Sequence, residues 1–249
     1  MMGEIDERIP AILVDGSSWS AHEIFRSNDW RGESKPIIIS ALAQFALLLH
    51  TSSAASEAVD VGNRICSVRF ENLQRQWRQA KWDFPQLRYF VEVPAVHQYI
   101  HAFLAAGKTL LDLLAQLVTT EGVVIKKVDG FHKKADIVGG ELLSFLTIEN
   151  RKVAAGRQLQ AAKLYDHLKR EKTTWIDTLV KARDNMAHPR RGMVQSMWEL
   201  EVIESEGLLQ VKHLVRPQIG GLPFDEYVHT TFPRIRAAVD TYLQLVKAS

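Results

Sequence analysis

Hydrophobic residues recur at intervals of three and four along most of the chain, which is the spacing of amphipathic helices. The clearest segment is 95–120, which follows Pro94 and ends at Gly122. The same spacing predicts further helices over 36–50, 57–80, 137–147, 157–171, 173–188 and 224–246. Ser34 is a plausible start for the first of them, with Pro36 near the first helical position. Residues 51–58, rich in Ser and Ala, are either a loop or a weak continuation of this helix.

Hydrophobic and polar residues alternate instead over 196–203 and 208–215, and Gly207 lies between these two runs. Two alternating runs around a glycine turn predict a β-hairpin. The expected fold is therefore mainly α, a helical bundle with a β-hairpin inserted before the C-terminal helix. No repeat or interdomain linker is evident. The organisation predicted is a single domain over 1–249, with an N-terminal extension at 1–34 and the hairpin insertion at 194–216.

Composition adds little to the predicted architecture but limits the possible functions and cellular compartments. The chain has 249 residues, of which 46% are hydrophobic, so it can bury a substantial core. Its net charge of +2 does not identify a nucleic-acid binder. Residues 151–191, however, contain eleven Lys and Arg against four Asp and Glu. This segment is either a basic face that attracts RNA phosphates or an ordinary solvated helix surface.

The single cysteine, Cys66, excludes an intrachain disulfide and fits a reducing compartment. Its apolar helical surroundings indicate a buried structural thiol. The N-terminus is acidic and polar, unlike a signal peptide. Polar residues interrupt the apolar runs before they reach the roughly 20 residues of a membrane span. We therefore expect a cytoplasmic protein that does not bind membranes.

Common catalytic motifs are missing from the sequence. His97 and His101 have the spacing of metal ligands on a helix, but Gln98 stands where a zinc protease has Glu and no third ligand is evident. There is no phosphate-binding glycine loop, dinucleotide-binding fingerprint or nucleophile elbow. We expect neither a metal nor a cofactor.

The segment from Trp175 to Pro189 combines an apolar stripe with polar residues. Residues at intervals of three and four form a core-facing stripe of Trp175, Leu179, Ala182 and Met186. Asp184 and His188 are four residues apart, so their side chains can meet on one helix face, where an ionised Asp184 would favour the charged imidazolium. Arg183 and His188 are about 140° apart around the axis of a straight helix. Pro189 relaxes this separation, because it disfavours helical geometry at His188.

Arg183, the polar Asp184, three further residues and His188 resemble the motif of the HEPN superfamily, small helical nucleases and nucleotide-binding proteins. In that family the motif lies close to the end of a helix, and the wider likeness of a helical bundle covers roughly 35–190. The resemblance implies a homodimer whose two motif helices meet near a two-fold axis. It also implies cleavage without metal, so that Arg183 of one chain would serve the phosphate beside His188 of the other.

The resemblance also implies roles for individual residues. His188 would be the base that deprotonates the RNA 2′-hydroxyl, or the acid that protonates the leaving 5′-oxygen. Arg183 would clamp the phosphate and stabilise the transition state, and Asp184 would orient His188 or Arg183. Asn185 would hydrogen-bond the substrate. The other predicted RNA-binding residues are Lys181, Arg190 and Arg191.

Three functions remain open from the sequence. The first is a metal-independent endoribonuclease, acting as a toxin or defence effector, whose further partner would be an antitoxin or a regulatory protein. The second is a non-catalytic HEPN-like module that binds a nucleotide or a partner protein. In the third, a structural helical protein, Arg183 and Asp184 are a solvated face and His188 is a favourable cation at a helix C-terminus. Asp184 departs from the Asn that is frequent in the family, and its carboxylate would repel RNA unless Arg183 or His188 pairs with it.

Overall fold

The computed structural model describes residues 30–80, 86–147, 152–187 and 192–247, and this part of the chain is mainly helical, as predicted. The helices are α1 (Ser34–Ala80), α2 (Pro94–Thr120), α3 (Gly140–Leu146), α4 (Gln158–Glu171), α5 (Asp177–Ala187) and α6 (Phe224–Lys247). The strands are β1 (Leu87–Glu92), β2 (Val194–Gln195), β3 (Met197–Ser205), β4 (Leu208–Val215), β5 (Gln218–Ile219) and β6 (Leu222–Pro223). Most of the predicted N-terminal extension lies outside the described residues.

Helix α1 is one helix of 47 residues, where two segments with a loop or weak helix between them were expected. Its Ser- and Ala-rich middle is helical, and Thr51, Ser52, Ala55 and Ala58 on one face of it are buried, where small side chains let α1 approach α2 closely. Thr51 illustrates how its polar groups are accommodated, since its hydroxyl donates to the carbonyl of Leu47 at 2.8 Å. The buried Ser34 hydrogen-bonds the Thr120 hydroxyl at 2.9 Å. The start of α1 therefore lies beside the end of α2, and the two helices run antiparallel.

Helix α2 is the centre of the core and contacts α1, α5 and α6. Phe103, Leu110 and Leu117 are among its fully buried side chains. The helix ends at Thr120, and Gly122, two residues later, has a φ of +73° in the left-handed region. The amides of Gly122 and Val123 then bond back to the carbonyls of Thr119 and Val118, both at 2.9 Å, which satisfies the helix end.

Helices α1 and α2 are each long and apolar enough to cross a membrane, by length and composition alone. Single polar residues interrupt both apolar runs in the sequence, which is why no span was predicted. In α2, 56% of the most apolar window is buried inside the protein. The core helix of a soluble protein has the same composition, so this finding is only weak evidence for a membrane.

Strands β1, β3 and β4 form an antiparallel sheet in that order, and one of its faces packs on α1. Strand β1 is an addition to the predicted elements. Its sequence, Leu87 to Glu92, places apolar residues on both faces of the strand, so it lacks a clean alternation. Trp198 of β3 is fully buried, and its indole N–H donates to Asn63 Oδ1 of α1 at 2.9 Å. A second, smaller sheet has the order β2–β5–β6.

Helices α4 and α5 are joined without a break by a π-helical turn, Lys172–Ile176. The sequence predicts helix here but not its type. Glu171, Trp175 and Leu179 face inward at two successive steps of four residues, which is wider than the α-helical repeat of 3.6. The extra residue in the π turn accommodates this spacing.

Cys66 is 3% exposed, as expected of a structural thiol. Burial raises the pKa of the thiol to about 11, despite the nearby Arg69 charge, which acts in the opposite direction. The thiol is therefore protonated at neutral pH and is not a nucleophile.

Gly62 permits the contact between α1 and the sheet, because a Cβ there would lie 2.0 Å from Cη2 of the Trp198 ring. We expect Gly62→Ala to lower the free energy of unfolding by about 1–3 kcal/mol through overpacking. Helix propensity alone would make the Ala variant more stable by up to about 1 kcal/mol. The sign of the change in the free energy of unfolding therefore separates overpacking from helix propensity.

Chemical denaturation of both proteins measures this difference. Gly32→Ala is the control, because no atom lies within 4 Å of a Cβ at Gly32. Equal or greater stability of Gly62→Ala would show that the sheet does not depend on this close approach.

Candidate functional site at the end of α5

The apolar stripe predicted for the motif helix faces the core. Trp175, Leu179 and Ala182 are buried, and the partly buried Met186 packs against the core. Leu179 lies over Gly107 of α2, where a Cβ would come within 2.5 Å of Leu179 Cδ1. This close approach fixes α5 on α2 and leaves the polar residues of its last two turns at the surface.

Arg183 and Asp184 lie in these last two turns, and both are accessible to solvent. The Arg183 side chain is 48% exposed, and its Nη1 is 3.5 Å from Asp184 Oδ1. The second carboxylate oxygen, Oδ2, accepts a hydrogen bond from Lys133 Nζ at 2.7 Å. Within the described part of the chain, Arg183 has no other polar partner. Its guanidinium therefore keeps most of its donors available to a ligand.

Lys133 is a site residue that the motif does not include. It belongs to the segment between α2 and α3, and 51 residues separate it from Asp184. The segment is fixed to α2 by Phe131, whose ring is buried and whose amide donates to Asp112 Oδ1 at 2.6 Å. Asp112 in turn pairs with Lys108 at 2.5 Å. In the sequence, Lys133 is marked only by the adjacent Lys134, and two neighbouring lysines do not indicate which carboxylate either of them contacts.

Lys181 does not join this cluster. It lies about 160° from Arg183 around the helix axis. Its Nζ is 3.9 Å from Asp177, a carboxylate that already accepts a hydrogen bond from Lys172 at 2.7 Å. Asn185 is partly exposed, and its side chain hydrogen-bonds no other described residue. The structure therefore brings Arg183, Asp184 and Lys133 together and leaves Lys181 elsewhere.

His188, Arg190 and Arg191 lie outside the described residues. The predicted meeting of His188 with Asp184 or with Arg183 remains a prediction. In the ranges that the structure covers, no three His, Cys, Asp or Glu side chains are grouped so as to hold a metal ion. The rings of His97 and His101 are in contact, with centroids 4.5 Å apart and planes tilted by 54°.

Comparison of the chain with protein-family models, with curated proteins and with solved structures finds no match. No relative therefore supplies a function. A function has to be inferred from the chemistry of the side chains at the end of α5.

Removing the Asp184 charge should leave the fold intact. Lys133 and Asp184 are 46% and 35% exposed, and a pair this accessible contributes little to stability. We expect Asp184→Asn to change the free energy of unfolding by less than about 1 kcal/mol. Asp112→Asn is the comparison, because it leaves the largely buried Lys108 unpaired and should cost about 1–3 kcal/mol.

Chemical denaturation of the wild type and the two variants tests this contrast. A loss of stability in Asp184→Asn as large as that in Asp112→Asn would assign Asp184 a structural role instead of a place in a ligand site.

Proposed function

We propose that this protein is a metal-independent endoribonuclease of HEPN type that acts as a homodimer in the cytoplasm. The observation that carries the proposal is the exposure of Arg183 and the pairing of its acidic neighbour. Its exposed guanidinium lies near the end of α5, five residues before His188, and its acidic neighbour Asp184 is already paired with Lys133. An RNA phosphate can therefore approach Arg183 without meeting an uncompensated carboxylate.

The ion pair with Lys133 removes the repulsion between Asp184 and RNA that the sequence alone predicts. A free carboxylate beside a phosphate site would repel the substrate, whereas the pair with Lys133 is neutral. Lys133, Asp184 and Arg183 together carry a net charge of +1. This local charge favours a phosphodiester in a salt-dependent manner.

In the proposed reaction, His188 accepts the proton of the RNA 2′-hydroxyl, and the 2′-oxygen attacks the adjacent phosphorus. The bond from phosphorus to the 5′-oxygen breaks, the leaving oxygen takes a proton from water, and the hydroxide that remains takes the proton held by His188. The products are a 2′,3′-cyclic phosphate and a 5′-hydroxyl end. Arg183 of the other protomer binds the non-bridging oxygens and stabilises the charge that develops on them. Asp184 positions Arg183 through their contact.

A cleavage assay on single-stranded RNA tests this mechanism in buffer containing a chelator. We expect Arg183→Ala and His188→Ala each to lower kcat at least about a hundredfold. Exposed residues of the same types provide the controls, Arg78→Ala on α1 and His229→Ala on α6, which should keep wild-type activity. Cleavage that survives both site substitutions, or that requires added metal, would disprove the mechanism. Nucleotide binding without any cleavage would favour the non-catalytic module.

Subunit mixing tests whether the site is shared between protomers. When the inactive Arg183→Ala and His188→Ala proteins exchange subunits, half of the dimers are mixed, and each mixed dimer holds one intact Arg–His pair. We therefore expect about a quarter of the wild-type activity to return. If both residues of a site came from one chain, the mixture would contain no intact site and would stay inactive.

A further inference from the structure

A cavity of about 300 Å³ lies between the π turn and α6, away from the end of α5. This volume is at the lower end of the range for small-molecule sites. Its polar lining consists of His167, Arg170, Glu171, Thr174, Arg234 and Thr241. π turns occur frequently at functional sites, because the wider turn displaces the backbone and makes room for a ligand.

Two arginines supply the positive charge of the cavity, and with the Glu171 carboxylate the lining carries a net charge of +1. Arg234 is exposed and has no hydrogen bond or ion pair with any other residue in the described ranges. Arg170 is held in place, since its Nη2 donates to His167 Nδ1 at 2.9 Å and its Nε donates to Glu171 Oε1 at 3.1 Å. Its remaining N–H groups are free to bind an anion.

The buried His167 forms the floor and is neutral. A guanidinium can only donate, so Nδ1 must be the acceptor, and the proton lies on Nε2, which donates to the Ala238 carbonyl at 3.0 Å. Burial lowers the pKa of His167, which agrees with this assignment. His167 therefore adds no charge and serves to position Arg170.

Other groups of the lining accept hydrogen bonds. The hydroxyls of Thr174 and Thr241 donate to the carbonyls of Glu171 and Ala237, each at 3.0 Å, which leaves their oxygens as acceptors. Glu171 Oε2 accepts from Trp175 Nε1 at 3.1 Å and retains further acceptor capacity. A ligand that fits this lining carries an anionic group together with hydroxyl or amino donors.

We propose that this cavity binds a mononucleotide, with its phosphate on Arg170 and Arg234 and its sugar hydroxyls towards Glu171 and the two threonines. The proposal is independent of the nuclease function. The cavity and the candidate nuclease site lie on one continuous helical segment, with Arg183 about 14 Å along the axis from Thr174. A nucleotide bound here is therefore distinguishable by mutation from one bound at the end of α5.

Isothermal titration of the full chain with adenosine monophosphate tests the proposal, and inorganic phosphate and adenosine are the fragment probes. We expect Arg234→Gln to raise the Kd for the nucleotide at least about tenfold. Arg75→Gln makes the same change of charge on α1, outside the cavity, and should not alter the Kd. Arg183→Gln should not alter it either. Both fragments should bind at least about tenfold more weakly than the nucleotide.

Several results would overturn this assignment. Wild-type protein that does not bind the nucleotide would do so directly. A Kd that changes with Arg183→Gln but not with Arg234→Gln would place the nucleotide at the nuclease site instead. If adenosine bound with the same Kd as the nucleotide, the arginines would not be binding the phosphate. If inorganic phosphate bound with the same Kd as the nucleotide, the hydrogen-bond acceptors would not be binding the sugar.

Discussion

The contact between Leu179 and Gly107 is the constraint on which the candidate nuclease site depends. Because Gly107 lacks a side chain, α5 approaches the central helix α2 closely, and its apolar stripe is buried along the whole contact. The polar residues at the end of α5 must then face solvent. The segment that carries Lys133 is attached to α2 as well, through Asp112. Arg183, Asp184 and Lys133 are therefore all positioned by one helix.

Much of this arrangement can be predicted from the sequence wherever a single face of an element is buried. Helix α2 begins and ends within one residue of the prediction, and the apolar stripe of the motif helix is correct. Of the two alternatives for residues 51–58, the helical continuation is confirmed and the loop is wrong, because low hydrophobicity indicates a loop only when such residues are exposed. Here Thr51 and Ala55 are buried at the contact with α2. Their small side chains suit them to this contact, and the periodicity of hydrophobic residues does not report side-chain size.

Other features depend on contacts between residues that are distant in the sequence. Strand β1 exists because β3 supplies its hydrogen bonds, and its own residues show no clear alternation. Lys133 meets Asp184 because an intervening segment folds along α2, and no local pattern encodes that path. The candidate motif at Arg183 could be proposed from the sequence because all its members lie within six residues. Its electrostatic partner could not be recognised, because its pairing with Asp184 is a property of the tertiary structure.

The π turn at Lys172–Ile176 also affects where the chain can change in length. It contains one residue more than an α-helical path through the same space would need. Deleting one residue there would therefore restore regular α geometry and leave α5 in place, with Leu179 on Gly107 and Arg183 near Lys133. In a helix without such a turn, the same deletion would rotate everything downstream by about 100°. The π turn is thus a place between α4 and the motif where the chain can lose a residue without displacing the candidate site.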